Sequence, residues 1–177
     1  MNDNGQSRKK DDRGQLVREA LTLYERPLVR YAQHLVGDLD RARDVVQDTF
    51  LKLCSHDLDG SADHTGPWLF AVCRNRALDV LRKENRMNAL EEVGTEVLES
   101  RDPPPDEMFD QNERTENVLD ALDHLPEKQQ EVIRLKFQED LSYKEISQVT
   151  GYSTSNVGFL IHTGIQTLRS QMARLEA

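Results

Sequence analysis

The stretch that most limits how this chain can fold is residues 88–115. It holds Pro103, Pro104 and Pro105, and nine carboxylates against two basic side chains. Consecutive prolines lack N–H donors and like charges repel, so no apolar period is sustained there. Such a segment reads as an extended, flexible linker. It divides the 177 residues into two parts, each with only enough apolar side chains for a small core. Both parts show helical periodicity, and the predicted class is all-α: two small helical domains joined by an acidic linker. The predicted divisions are a disordered tail at 1–14, a first domain at 15–87, the linker at 88–115 and a second domain at 116–177.

In the first part, Leu16, Val17, Ala20, Leu21, Tyr24, Leu28, Tyr31, Ala32 and Leu35 recur at helical spacing. Pro27 is expected to kink or split that helix near Arg26. Gly37 ends it and Asp38 is placed to cap the next, about 39–55. This second helix is predicted to bury Ala42, Val45, Val46, Thr49, Phe50 and Leu53. Its other face presents Asp44, Gln47, Asp48, Leu51 and Lys52, and a leucine among acidic and amide groups hints at docking. A turn-rich loop at 56–66 leads to PWLFAVCRNRALDVLRKENR, residues 67–86. Pro67 suits a first helical turn. Leu69, Val72, Cys73, Ala77, Val80 and Leu81 make the apolar face. Arg74, Arg76, Arg82, Lys83 and Arg86 outnumber Asp79 and Glu84, a local net charge of +3 in a chain of net −9. With Trp68 and Phe70 as aromatics able to reach the surface, this is the composition of a nucleic-acid face.

In the second part, Val118, Leu119, Ala121, Leu122 and Leu125 lead to Pro126, where a further helix begins. Val132, Ile133, Leu135 and Phe137 are assigned to its core side. Ser142 with Glu145 three residues on forms a capping box, and Gly151 permits a left-handed stop. Ser153 caps a last helix with the stripe Val157, Leu160, Ile161, Ile165 and Leu168. Two helices, a glycine turn and small Ser147 at their crossing describe a helix-turn-helix.

Composition excludes several other classes. No apolar run approaches the ~18 residues needed to span a bilayer, and the charged N-terminus has no apolar segment behind it. A cytoplasmic protein without membrane insertion is expected. Cys54 and Cys73 are expected as small core residues in a reducing compartment. The five histidines show no zinc-ligand spacing, so neither metal nor cofactor is expected. No nucleophile–base pair argues for an enzyme. The acidity is concentrated in the linker, at net −7, while residues 1–87 are net +1. The low overall pI is therefore compatible with DNA binding by the first part.

The two parts together resemble the sigma-70 family of RNA polymerase sigma factors, in its small two-domain extracytoplasmic-function (ECF) group. DLDRARDVVQDTFLKL (38–53) is similar to the family's polymerase-docking helix. PWLFAVCRNRALDVLRKENR is similar to the helix that recognises and melts the −10 element. LDHLPEKQQEVIRLKFQEDLSYKEISQVTGYSTSNVGFLIHTGIQTLR (122–169) is similar to the domain that reads the −35 element. The resemblance makes 15–87 region 2 and 116–177 region 4. It implies that Asp44, Gln47, Asp48, Leu51 and Lys52 face core polymerase. It implies −10 contacts from Trp68, Arg74, Asn75, Arg76, Arg82, Lys83 and Arg86. Asn75 would meet an extruded base, and the loop at 60–66 would help form the pocket. The implied partners are core RNA polymerase, promoter DNA and an anti-sigma factor.

This chain departs from the family at the recognition helix, where no cation lies between Lys144 and Arg169. Phosphate contacts would then come from Lys144, Arg169, helix N-terminal amides and hydroxyls. Base readout would fall to Ser153, Thr154, Ser155, Asn156 and Phe159, the last against a thymine methyl. Two other functions share these residues. One is a helix-turn-helix regulator that never docks on polymerase. The other is a polymerase-binding decoy or scaffold without DNA binding.

Overall fold

The structure, a computed structural model, describes residues 3–56, 64–91 and 113–175. The chain divides into two compact units, Met1–Pro104 and Pro105–Ala177, the boundary falling inside the run of prolines. Every described element is an α-helix, as the apolar periodicity predicts. The expectations for residues 57–63 of the first loop and 92–112 of the linker lie outside the described residues.

The first unit packs three helices, α1 (Asp3–Val36), α2 (Leu39–Ser55) and α3 (Thr65–Glu91), each against the other two. Three features of α1 and α3 differ from expectation. Helix α1 begins at Asp3, so residues 3–14 are helical where polar composition predicts a disordered tail. Arg13 helps anchor this end, its Nη2 donating to the carbonyl of His56 at 2.8 Å. Nor does Pro27 split α1, which runs through it. The missing N–H orphans the Leu23 carbonyl on a face where the Leu23 side chain is exposed and water is at hand. Ala20 and Leu28, on either side of the proline, are both buried and hold the two halves in line. Helix α3 continues past Arg86 to Glu91, into the predicted linker, and α4 likewise starts at Glu113.

Gly37, at φ 75°, closes α1 with its N–H on the Gln33 carbonyl at 2.8 Å. Asp38 caps α2 by accepting from the Arg41 N–H at 2.8 Å. The six predicted core positions of α2 are its buried ones, with the Thr49 hydroxyl donating to the Val45 carbonyl at 2.8 Å. Leu69, Cys73 and Ala77 of α3 are fully buried against them, while Val72, Val80 and Leu81 are partly so. Phe70 is buried as well, its ring edge-on to Tyr31 at 5.4 Å, and is no surface aromatic. Gly66 lets α3 approach α1: a Cβ there would lie 2.9 Å from the Tyr24 hydroxyl oxygen. Cys73 sits in the core, but Cys54 is exposed, because α2 turns it away from the stripe.

The second unit contains α4 (Glu113–Asp123), α5 (Glu127–Phe137), α6 (Tyr143–Thr150) and α7 (Thr154–Leu175). Leu122, Leu125 and Ile133 form one hydrophobic core cluster in it, with Leu168 packed on them. Each such fully buried aliphatic side chain contributes about 1.5–3 kcal/mol. Gln130, itself buried, donates to the carbonyls of Asp123 and Leu125 at 2.8 and 2.7 Å and so closes the α4–α5 turn. Phe137 is exposed, contrary to its assignment as core, since it is the last residue of α5, where the stripe passes out of cover; Val118, midway along α4, is exposed as well.

Candidate functional site

The helix-turn-helix forms as its residues dictate. The Ser142 hydroxyl accepts from the Glu145 N–H and the Glu145 carboxylate accepts from the Ser142 N–H, which completes the capping box. Gly151 stops α6 at φ 77°, where a side chain would be strained. Ser147, beyond being small, donates its hydroxyl to the Tyr152 carbonyl at 2.6 Å and secures the turn. The Ser153 hydroxyl oxygen accepts from the Asn156 N–H at 3.2 Å, so Ser153 is engaged as the cap of α7. Thr154, Ser155, Asn156 and Phe159 follow on α7 and are exposed, as are Lys144 and Arg169. Gly164 has a packing reason: a Cβ there would stand 2.6 Å from Ile133 Cδ1.

In the first unit, Asp44, Gln47, Asp48, Leu51 and Lys52 share the outward face of α2, opposite its buried stripe, and Leu51 is 60% exposed. The cations of α3 are deployed unequally. Arg76 Nε meets Asp48 Oδ2 at 2.7 Å, both side chains about half exposed, which brings one residue of the docking set against one of the −10 set. Arg82 pairs with Asp79 one turn away at 3.1 Å, and Arg86 Nε donates to the Arg82 carbonyl at 3.4 Å. Lys83 and Asn75 are exposed, while Arg74 is partly buried. Arg41 of α2 reaches Glu84 at 2.8 Å, so this carboxylate is neutralised from outside the basic helix. Trp68 is partly buried, with the His56 ring stacked on it at 4.9 Å between centroids and 14° between planes.

His56 and Tyr143 are the residues of these surfaces that the sequence reading passes over. His56 carries no periodic signal, since it caps α2 beyond its last apolar position. Tyr143 opens α6 on its exposed side, where one aromatic among polar residues has no pattern to mark it. Among titratable groups, burial pushes the Cys73 thiol up to about 12, offset slightly by a hydrogen bond with Thr49. The Asp120 carbonyl and carboxylate raise His124 above the ordinary histidine value. Among the described residues no group of three or more His, Cys, Asp or Glu could hold a metal ion, and no helix is long and apolar enough to cross a membrane.

A three-helix unit with a cationic helix and a second unit ending in a helix-turn-helix define a helical DNA-recognition protein of two modules. The family model for sigma-70 region 2 matches residues 21–87, and that for sigma-70 region 4 matches residues 115–168. The RNA polymerase sigma factor SigV of Bacillus subtilis is 25% identical over 168 residues, covering 94% of this chain and 97% of that protein. The ECF RNA polymerase sigma factor SigE of Mycolicibacterium smegmatis is 31% identical over 147 residues, covering 82% of this chain but 57% of that longer protein. In fold, the chain is similar to RpoE of Bartonella quintana, solved in complex with the anti-sigma factor NepR. The TM-score is 0.63 at 22% identity, covering 88% of this chain and 96% of that one. The chain belongs to the sigma-70 family, in its ECF group. It is a polymerase-binding, promoter-recognising sigma factor.

Proposed function

We propose that the outer face of α2 is the polymerase-docking surface and the adjoining face of α3 the −10 surface. The observation that carries this reading is the Asp48–Arg76 ion pair, which joins the two faces into one continuous surface. Asp44, Gln47, Leu51 and Lys52 make the docking contact, with Leu51 as its apolar anchor. Arg74, Arg82, Lys83 and Arg86 hold the phosphates of the melted strand, and Asn75 reads an extruded base through its amide donor and acceptor. Arg76 joins them by exchanging Asp48 for phosphate, and Trp68 with its His56 partner offers a stacking surface. In the second unit Lys144 and Arg169 position the −35 duplex while Ser153, Thr154, Ser155, Asn156 and Phe159 face the base edges. Residues 15–87 thus act as region 2 and 116–177 as region 4, with 88–115 linking them.

On this reading the protein works by binding alone, in the cytoplasm with the polymerase it serves. The fold relative's complex with an anti-sigma factor supports an anti-sigma partner here as well. Asp44→Arg with Leu51→Ala tests the docking surface, since both side chains are exposed and outside the buried stripe. Affinity for core polymerase is expected to fall about 30-fold or more, with helical circular dichroism unchanged. Wild-type co-elution with polymerase would remove α2 as the docking element.

A further inference from the structure

Beside Phe159, Tyr143 places a second, unaccounted aromatic surface on the helix-turn-helix. Tyr143 opens α6 and is 43% exposed. Its ring lies against α7 at Gly158, where a Cβ would stand 3.4 Å from Tyr143 Cε2. The glycine leaves no side chain between ring and helix. Phe159, the next residue, is 63% exposed. Phe159 lies between Lys144 and Arg169, whose intervening residues carry no Lys or Arg, and Tyr143 directly precedes Lys144. With Lys144 assigned to phosphate, the α7 residues around Phe159 offer no Arg/Lys contact to guanine O6 and N7. The apolar carbon of this surface has one complement among the base edges of the major groove, the 5-methyl group of a pyrimidine. Covering that methyl and the aromatic carbon together removes both from water.

We propose that Tyr143 and Phe159 form a seat for pyrimidine 5-methyl groups in the −35 duplex, so that this sigma factor reads part of its element by methyl contact. Tyr143 is thereby a specificity-determining residue. The inference rests on the reading of α6 and α7 as the −35 element's reader, and goes beyond it in adding Tyr143 to Phe159 as the second wall of a methyl seat. Two consequences follow from the chemistry. Deoxyuridine in place of thymidine deletes the contacted methyl alone. At the same position 5-methylcytosine supplies what cytosine lacks.

The test uses holoenzyme assembled from core polymerase and the full chain. Duplexes with a randomised −35 region are selected, and each thymidine of the enriched element is then replaced in turn by deoxyuridine in competition binding. At one or more positions the replacement is expected to weaken binding about fourfold, the equivalent of one buried methyl group. Phe159→Ala and Tyr143→Ala are expected to abolish that sensitivity, while Tyr143→Phe, which keeps the ring, retains it. 5-Methylcytosine at the sensitive position is expected to bind more tightly than cytosine. An enriched element without thymine, or one indifferent to deoxyuridine throughout, would overturn the methyl seat and leave −35 reading intact. Retained sensitivity in Phe159→Ala would overturn it too, as would weakened assembly with core polymerase as that variant's only defect. If no −35 sequence is enriched, the underlying reading of α6 and α7 fails, and the seat with it.

Discussion

Helices α3 and α7 each turn one packed face inward and one open face to solvent, within their own units. On α3 the open face carries Asn75, Arg76, Arg82, Lys83 and Arg86; on α7 it carries Thr154, Ser155, Asn156 and Phe159. Cations on α3 suit a strand whose bases are leaving the stack, because phosphate is the one group that every melted sequence offers. Hydroxyls, an amide and a phenyl ring suit duplex base edges, which differ from one sequence to the next. The inner faces differ as well. Helix α3 packs through side chains, with Phe70 on Tyr31 and Cys73 in the core. Helix α7 comes close enough to α5 that a Cβ on Gly164 would stand 2.6 Å from Ile133 Cδ1, so that side chain would have to shift. Charge thus distinguishes the outer faces, and residue size the inner ones.

The largest expected effect probes the inner face of α3. With its thiol pushed up to about 12 and buried, Cys73 should react with a thiol reagent at pH 8 more than a thousandfold slower than exposed Cys54. Equal labelling rates in the folded protein would mean that α3 does not pack as described. The same shift fixes a pH dependence. The unfolded thiol ionises first, around its ordinary value of 9.0, so the stability contributed by Cys73 is fully present below that pH. It is lost as pH rises toward about 12. Cys73→Ala should flatten that part of a urea-denaturation profile.

A smaller effect probes the inner face of α7. Gly164→Val forces side-chain atoms into Ile133 and should cost the second unit about 1–3 kcal/mol, read as a lowered denaturation midpoint. A neutral or stabilising outcome would show that α5 and α7 have room to spare.

The smallest effect compares the outer faces directly. Arg82→Ala with Lys83→Ala should lower the log–log salt slope of promoter binding by about two units, one for each lost phosphate contact. Asn156→Ala should leave that slope unchanged and alter the preferred −35 sequence, at about 1–3 kcal/mol for the lost base contact. If the two variants exchange behaviours, the assignment of ionic grip to α3 and base readout to α7 is reversed.

Local rules made much of this legible in advance. Asp38, Gly37, Ser142 with Glu145, Gly151 and Ser153 mark helix ends through hydrogen bonds that close within five residues, so the termini of α2 and α6 could be read from the chain. The six buried positions of α2 follow from its period for the same reason. Where the period meets an end or an interruption, local rules failed. Phe137 keeps the spacing yet lies exposed at the end of α5, and Pro27 breaks a helical bond that the burial of Ala20 and Leu28 outweighs.

By itself, the sequence determined the all-α class, most helix limits and the unequal distribution of charge, all properties of neighbours along the chain. Tertiary structure alone decided which charges are spent inside the protein and which remain open. Arg76 is 28 residues from Asp48, and Arg41 is 43 from Glu84, separations over which no periodicity speaks. It alone placed His56 on Trp68 and Tyr143 against Gly158, and gave Gly66 and Gly164 their purpose. Ion pairs, ring stacks and close approaches depend on where separate helices meet. That meeting is set by the packing of whole faces, which no single stretch of the chain contains.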